Sequence, residues 1–257
     1  MYTQELGLTE KLAIVEDFFQ ISTRTLEGHY TLIPDNNAEI IIPIKENLTF
    51  KCIGSVRPLT FLAGKSYFLM PRRRGAVIPL SFRSNCLIIK VNPIYAKKLS
   101  DQLNEISYGV FDLGMGKDCL ERLCKGFDLM DKYELSDRLE DLLDVSSDLF
   151  EYNMTIVDAI DQIRESNGTV SVKEIYTKLR VSKSKLEQHF NREIGLTPKE
   201  FCKIQKINYF INSYMENGDI SLTELTYHCG YYDQSHLIKD FKYFLDTSPK
   251  KFFCDQK

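Results

Sequence analysis

"CGYYDQSHLIKDFKYFLDTSPKKF", residues Cys229 to Phe252, sets Leu237, Phe241 and Phe244 three and four positions apart. That spacing puts all three on one face of a helix. Gln234, Ser235, His236, Lys239 and Lys242 occupy the other faces. A helix of this kind packs along its apolar edge and offers its remaining surface to a polar partner.

An earlier stretch repeats the pattern. When "SVKEIYTKLRVSKSKLEQHFNREIGLTPKEF" (Ser171 to Phe201) is set beside Ser221 to Phe252, Leu186, Phe190, Pro198 and Phe201 stand 51 positions before Leu237, Phe241, Pro249 and Phe252. Ser171 and Ile175 precede Ser221 and Leu225 by 50, so the second copy has one extra residue in its turn. Each copy is punctuated as a helix-turn-helix. Ser171 or Ser221 caps a first helix, and Glu174 or Glu224 completes a capping box. A tight turn follows at "RVS" or "CGYY", after which Ser182 or Asp233 caps the second helix. In such a unit the second helix enters the major groove. Thr197-Pro198 opens a joining helix that runs to about Met215. At about 1.5 Å per residue it forms a spacer of roughly 27 Å, suited to recognition helices about 34 Å apart along one side of DNA.

In the first unit Leu186 and Phe190 turn inward, leaving Ser184, Lys185, Glu187 and Gln188 outward. Gln suits adenine, Glu accepts from cytosine, and Lys addresses guanine or a phosphate. Gln234, Ser235, His236 and Lys239 are the matching base readers of the second unit, though a histidine beside an apolar edge also serves as a packed or capping residue. Lys183, Arg192, Lys203, Lys206 and Lys242 are candidate phosphate ligands. From Lys183 to Lys206 there are six basic and three acidic residues, a local excess in a chain of net charge −3. Divided at residue 150, the chain has 18 basic and 21 acidic residues before it and 15 of each after it, so neither half is a polybasic arm.

The first part reads differently. From about Ile14 to Pro93, short β-branched and aromatic runs such as "AEIIIPI", "KSYFLMP" and "CLIIKV" alternate with Gly, Pro or the "PDNN" turn, the pattern of an antiparallel barrel or sandwich. After Asn92-Pro93 the period turns helical, first in "IYAKKLSDQLNEI". It continues with Leu120, Leu123 and Phe127, then Leu135, Leu139 and Leu142. These amphipathic helices fit a dimer face or a coat on the barrel equally well. Arg72 to Arg74 form a basic triplet, read as a solvated loop, an anion site or a DNA contact.

Length and composition favour two soluble domains. No apolar run reaches the length of a membrane span. "MYTQELGLTEKL" lacks the layout of a signal peptide, which places the chain in the cytoplasm. Seven cysteines without a CxxC pair read as reduced, buried thiols rather than metal ligands or disulfides. Barrel enzymes generally need two or three histidines and a carboxylate on a metal. Residues 1 to 150 contain one histidine, His29, so neither metal, cofactor nor catalysis is expected.

Asn153 to Phe253 resembles the DNA-binding domain of AraC/XylS-type transcription regulators. The likeness rests on "GYYDQSHLIKDFKYFLDTSPKKF", which follows Gly-aromatic-x-Asp-x-Ser-x-aromatic or Leu, then Phe-Lys, then Ser-Pro-x-x-aromatic. "VSKSKLEQHFNREIGLTPKEF" carries it into the first unit. Residues 12 to 99, with "LIPDNNAEIIIPI" and "VIPLSFRSNCLIIKVNP", resemble the cupin-like domain on one branch of these regulators. The resemblance implies an α+β multidomain chain. Its parts would be an antiparallel cupin-like β-barrel at 1–112, a helical linker or dimerisation helices at 113–150, and an all-α domain of two helix-turn-helix units joined by a long helix at 151–257. It implies an effector-binding or dimerising β domain, giving a small molecule and a second copy of the chain as partners. Double-stranded promoter DNA and RNA polymerase are the others, with activation more frequent than repression. Two positions of the first unit depart from the family, while the second keeps Gly230 and has only the milder Thr226 for Ala. Tyr176 replaces the usual Ala where the first unit's helices cross, and Arg180 falls where the turn glycine would be, at a cost on the order of 1 kcal/mol if held at positive φ. A first unit that has lost DNA binding, in a chain acting only through protein contacts, is the rival reading.

Overall fold

The structure, a computed structural model, describes residues 13–22, 28–81, 84–107, 109–125, 130–143, 153–216 and 220–254. The N-terminal stretch read for a leader, Phe127 and residues 144–152 of the linker lie outside the described residues.

Among the described residues, ten strands build two antiparallel sheets. They are β1 (Val15–Ser22), β2 (Gly28–Leu32), β3 (Ala38–Pro43), β4 (Leu48–Cys52), β5 (Leu59–Phe61), β6 (Tyr67–Leu69), β7 (Ala76–Leu80), β8 (Asn85–Val91), β9 (Asn104–Ser107) and β10 (Val110–Asp112). One sheet has the order β1-β8-β3-β6-β10-β9, the other β2-β7-β4-β5. Both sheets contribute to one core, in which Ile41 and Ile88 from the first meet Leu32, Phe50 and Ile78 from the second. The opposite face of the larger sheet is covered as well. Ile40, Leu87 and Ile89 pack there with Leu120 and Leu123 of α2 (Lys117–Cys124) and Leu135 and Leu139 of α3 (Lys132–Leu143). Burial on both faces explains why β3 is apolar without alternation apart from Glu39. Ser136 Oγ also accepts from Val15 N at 3.0 Å. The apolar stripe of the linker helices is thus spent on the sheet.

The helical reading of "IYAKKLSDQLNEI" holds only in part. A 3-10 turn (Pro93–Tyr95) and α1 (Ala96–Ser100) end before Leu103, and "NEIS" is β9. Gly109, at φ 70, helps the chain turn back, so that β10 pairs with β9 and with β6. Pairing across the sheet overrides a weak helical period.

The remaining elements are helices: α4 (Met154–Glu165), α5 (Val172–Lys178), α6 (Lys183–Glu193), α7 (Pro198–Glu216), α8 (Leu222–His228), α9 (Gln234–Leu245) and α10 (Pro249–Cys254). One continuous core holds them. Phe190 meets Phe201 edge-on at 5.7 Å, and Phe210 meets Phe241 edge-on at 5.8 Å. The central helix α7 is therefore a shared wall rather than a bare rod. Gly168, at φ 76, lets the α4–α5 turn lie on it, since a Cβ there would sit 2.2 Å from Cys202 O. No helix among the described residues is long and apolar enough to cross a membrane.

Candidate nucleic-acid interface

Two helix pairs, α5–α6 and α8–α9, flank α7. Each is started by the caps its sequence encodes. Ser171 with Glu174, and Ser221 with Glu224, form reciprocal capping boxes. Ser182 accepts from Lys185 N, and Asp233 from His236 N. Both turns pass through the left-handed region, at Arg180 (φ 55) and at Gly230 (φ 72). Tyr176 is accommodated at the rim of the core, half-buried.

The outward rows stay clear of the core. On α6, Ser184, Lys185 and Gln188 are exposed and Glu187 is half-buried, with Lys183 Nζ 3.7 Å from its carboxylate. On α9, Gln234, Ser235, His236 and Lys239 are exposed. Gln234 Nε2 donates to Thr223 Oγ1 of α8 at 2.6 Å, which sets the side chain across the start of the helix. His236 lies edge-on to Tyr231, and its Nε2 is 3.9 Å from Asp240 Oδ2, so the ring leans toward the helix rather than straight outward. Ile238 is also exposed in this row; a reading that seeks polar groups passes over it, and only the helical register reveals it.

The candidate phosphate ligands fall into two groups. Lys183 and Lys242 are exposed, and Arg192 is exposed although paired with Glu193 at 2.7 Å. Lys203 and Lys206 are tied inward. Lys203 bonds Asp240 at 2.8 Å, while Lys206 donates to Gly230 O at 3.2 Å and lies over the Tyr231 ring. Burial raises the Tyr231 phenol far above its ordinary range, with the Asp240 charge adding to the effect.

The β sheets dock against this helical layer. Asn36 Nδ2 donates to Phe201 O at 3.1 Å, and Asn208 Nδ2 to Pro34 O at 2.6 Å. The Arg72–Arg74 triplet sits at the same seam. Arg73 bonds Glu200 at 2.8 Å, Arg74 lies 4.8 Å over the Tyr243 ring, and Gly75 N donates to Phe244 O at 2.9 Å. Arg72 points into the sheets and holds Glu39, which also accepts from Lys90. Burial alone would raise the Glu39 carboxyl, but the two cations outweigh it and lower it below the usual range. Beside them a cleft of about 470 Å³ is lined by Phe50, Leu69, Met70 and Val110, by the three arginines, and by Gly195 from the helical layer.

Comparison with known proteins agrees with this geometry. Residues 175–254 match the family model of a helix-turn-helix domain. No curated protein sequence matches the chain. Among solved structures, apo ToxT from Vibrio cholerae aligns at 14% identity and TM-score 0.58, covering 93% of this chain and 98% of that one. ToxT bound to a methylnaphthalenyl butenoic acid aligns at 14% and 0.55 over 96% and 100% of the two chains. ToxT with an unsaturated fatty acid gives 15% and 0.53 over 91% and 92%. Residues 175–254 are thus a helix-turn-helix domain of the AraC/XylS type, carried on a fold shared with ToxT along nearly the whole chain.

Proposed function

We propose that this protein is a sequence-specific regulator of transcription that reads two successive major grooves with α6 and α9. The observation that supports this most directly is the pair of exposed polar rows, on two capped helix-turn-helix units anchored in one core. The base readers are Ser184, Lys185, Glu187 and Gln188, then Gln234, Ser235, His236 and Lys239. Lys183, Arg192 and Lys242 hold phosphates, and Lys203 and Lys206 do so only if DNA draws them from their internal partners. The region 151–257 is the reader, and 1–112 with the helices of 113–150 is its sensor or dimerising part. Activation through RNA polymerase is the sense that the family resemblance favours.

The effector we assign is an acid with an apolar body. The cleft joins an apolar floor to arginines, and the fatty acid and butenoic acid held by ToxT share that chemistry. A carboxylate would compete with Glu200 for Arg73, so binding would loosen a link to α7 and shift the population of docked arrangements.

Selection of bound sequences from random duplex DNA tests the reading. Two short boxes about one helical turn apart are expected. Gln234→Ala should weaken that site more than random duplex; equal losses would remove Gln234 as a base reader. Absence of any enriched sequence, with and without long-chain acids, would sink the proposal.

A further inference from the structure

The two recognition helices share one frame but differ in chemistry at several positions, and at one of them an apolar side chain stands where the other carries a carboxylate. Leu186 and Phe190 are buried in α6 as Leu237 and Phe241 are in α9, so the core fixes the register at 51 residues. In that register Ile238 stands where α6 carries Glu187. Each directly follows the buried leucine. Ile238 lies one turn after Gln234 and one turn before Lys242, and all three are exposed.

Ile238 is 38% exposed and takes no part in the helical core. Nor does helix propensity explain it, since Ile is a poorer helix former than Lys, Gln or Glu. Its position does explain it. An apolar side chain amid amide and ammonium groups, on a face that enters the major groove, meets one apolar feature on the groove floor: the C5-methyl of thymine. Glu187, at the equivalent place, can accept a hydrogen bond from cytosine N4.

Resting on the DNA-reading function proposed above, we infer that Ile238 is a specificity residue that recognises thymine through its methyl group. The two boxes then differ at equivalent base pairs, thymine under α9 and cytosine under α6. The composite site is asymmetric, and one chain binds it in a single orientation.

The test uses the full chain and the duplex obtained by selection. Each thymine of one box is replaced in turn by deoxyuridine, which removes only the methyl. A methyl is worth about 0.8 kcal/mol, or about fourfold in affinity, and one position should show that loss with the wild-type protein. Ile238→Ala should bind the thymine and uracil duplexes alike at that position, while keeping its Gln234-dependent preference elsewhere. Ile238→Glu should move the preference toward cytosine. Equal binding of thymine and uracil duplexes by the wild type overturns the inference, as does a methyl effect that survives in Ile238→Ala. In either case two-box selection leaves the DNA-reading function standing, whereas loss of all sequence preference rejects both.

Discussion

Asp240 anchors α9 from behind: its side chain is 5% exposed and accepts from Lys203 of α7 at 2.8 Å. Removing the cation leaves a buried carboxylate without its strongest partner, at a cost of about 1–3 kcal/mol. Lys203→Ala should therefore lower the thermal midpoint, and adding Asp240→Asn should restore part of the loss. If Lys203 acted only on phosphate, the midpoint would stay put and just the salt dependence of DNA binding would become shallower. A charge between two helix-turn-helix units reads equally as a DNA ligand or an internal strut. Only the placement of Asp240 on the neighbouring helix separates the two.

At the scale of elements, the first unit's turn stores strain. Arg180 sits at φ 55, where its Cβ crowds the following carbonyl. Arg180→Gly should stabilise the protein by about 1 kcal/mol, raising the midpoint by about 2–4 °C in differential scanning calorimetry. An unchanged midpoint would mean that the turn tolerates arginine freely. Strands β3 and β8 carry a different reservoir, the pairing of Glu39 with Lys90 in register and with Arg72 from the loop. Burial opposes the Glu39 charge, yet the two cations leave its acidity increased on folding. Stability from Glu39 is then complete above the unfolded carboxyl value near 4.3 and disappears as pH falls through the lower folded value. Unfolding followed from pH 7 to pH 3 should show this decline. Glu39→Gln should flatten that acid limb while lowering stability at neutral pH by about 3–5 kcal/mol, because two buried cations lose their shared partner.

Across the whole molecule, the sheets and the helical layer are joined by a few polar contacts and by Ile33 and Ile94, which pack against the helical core. Asp35 pairs with Lys90 at 3.0 Å, and the next residue, Asn36, reaches Phe201 of α7, so the buried charges lead directly to the seam. Asn36 is at φ 71, where glycine replaces it without strain. The double variant Asn36→Gly with Asn208→Ala removes two cross-seam bonds, about 1 kcal/mol each. Calorimetry should then resolve one unfolding transition into two, with the helical layer independent of the sheets. A single transition at an unchanged midpoint would show that the seam is held by other contacts.

Much of the helical layer is legible in the sequence by itself. The repeat, the paired capping boxes and the spacing of Leu237, Phe241 and Phe244 are local signals, and each determined an element by short-range hydrogen bonding or by helical period. The exposed rows follow from the same period, as does the positive φ at Arg180, which the glycine of the second unit's turn makes visible. Tertiary structure alone decided what depends on residues far apart. It turned "NEIS" into a strand because β10 and β6 complete a sheet there, and it laid α2 and α3 on that sheet. It also pulled Lys203 inward to Asp240 and converted Arg72 to Arg74 from a loop of open meaning into the seam between the layers. A sequence states which groups are available, whereas the partner that satisfies a charge or an apolar face is chosen by the chain's path through space.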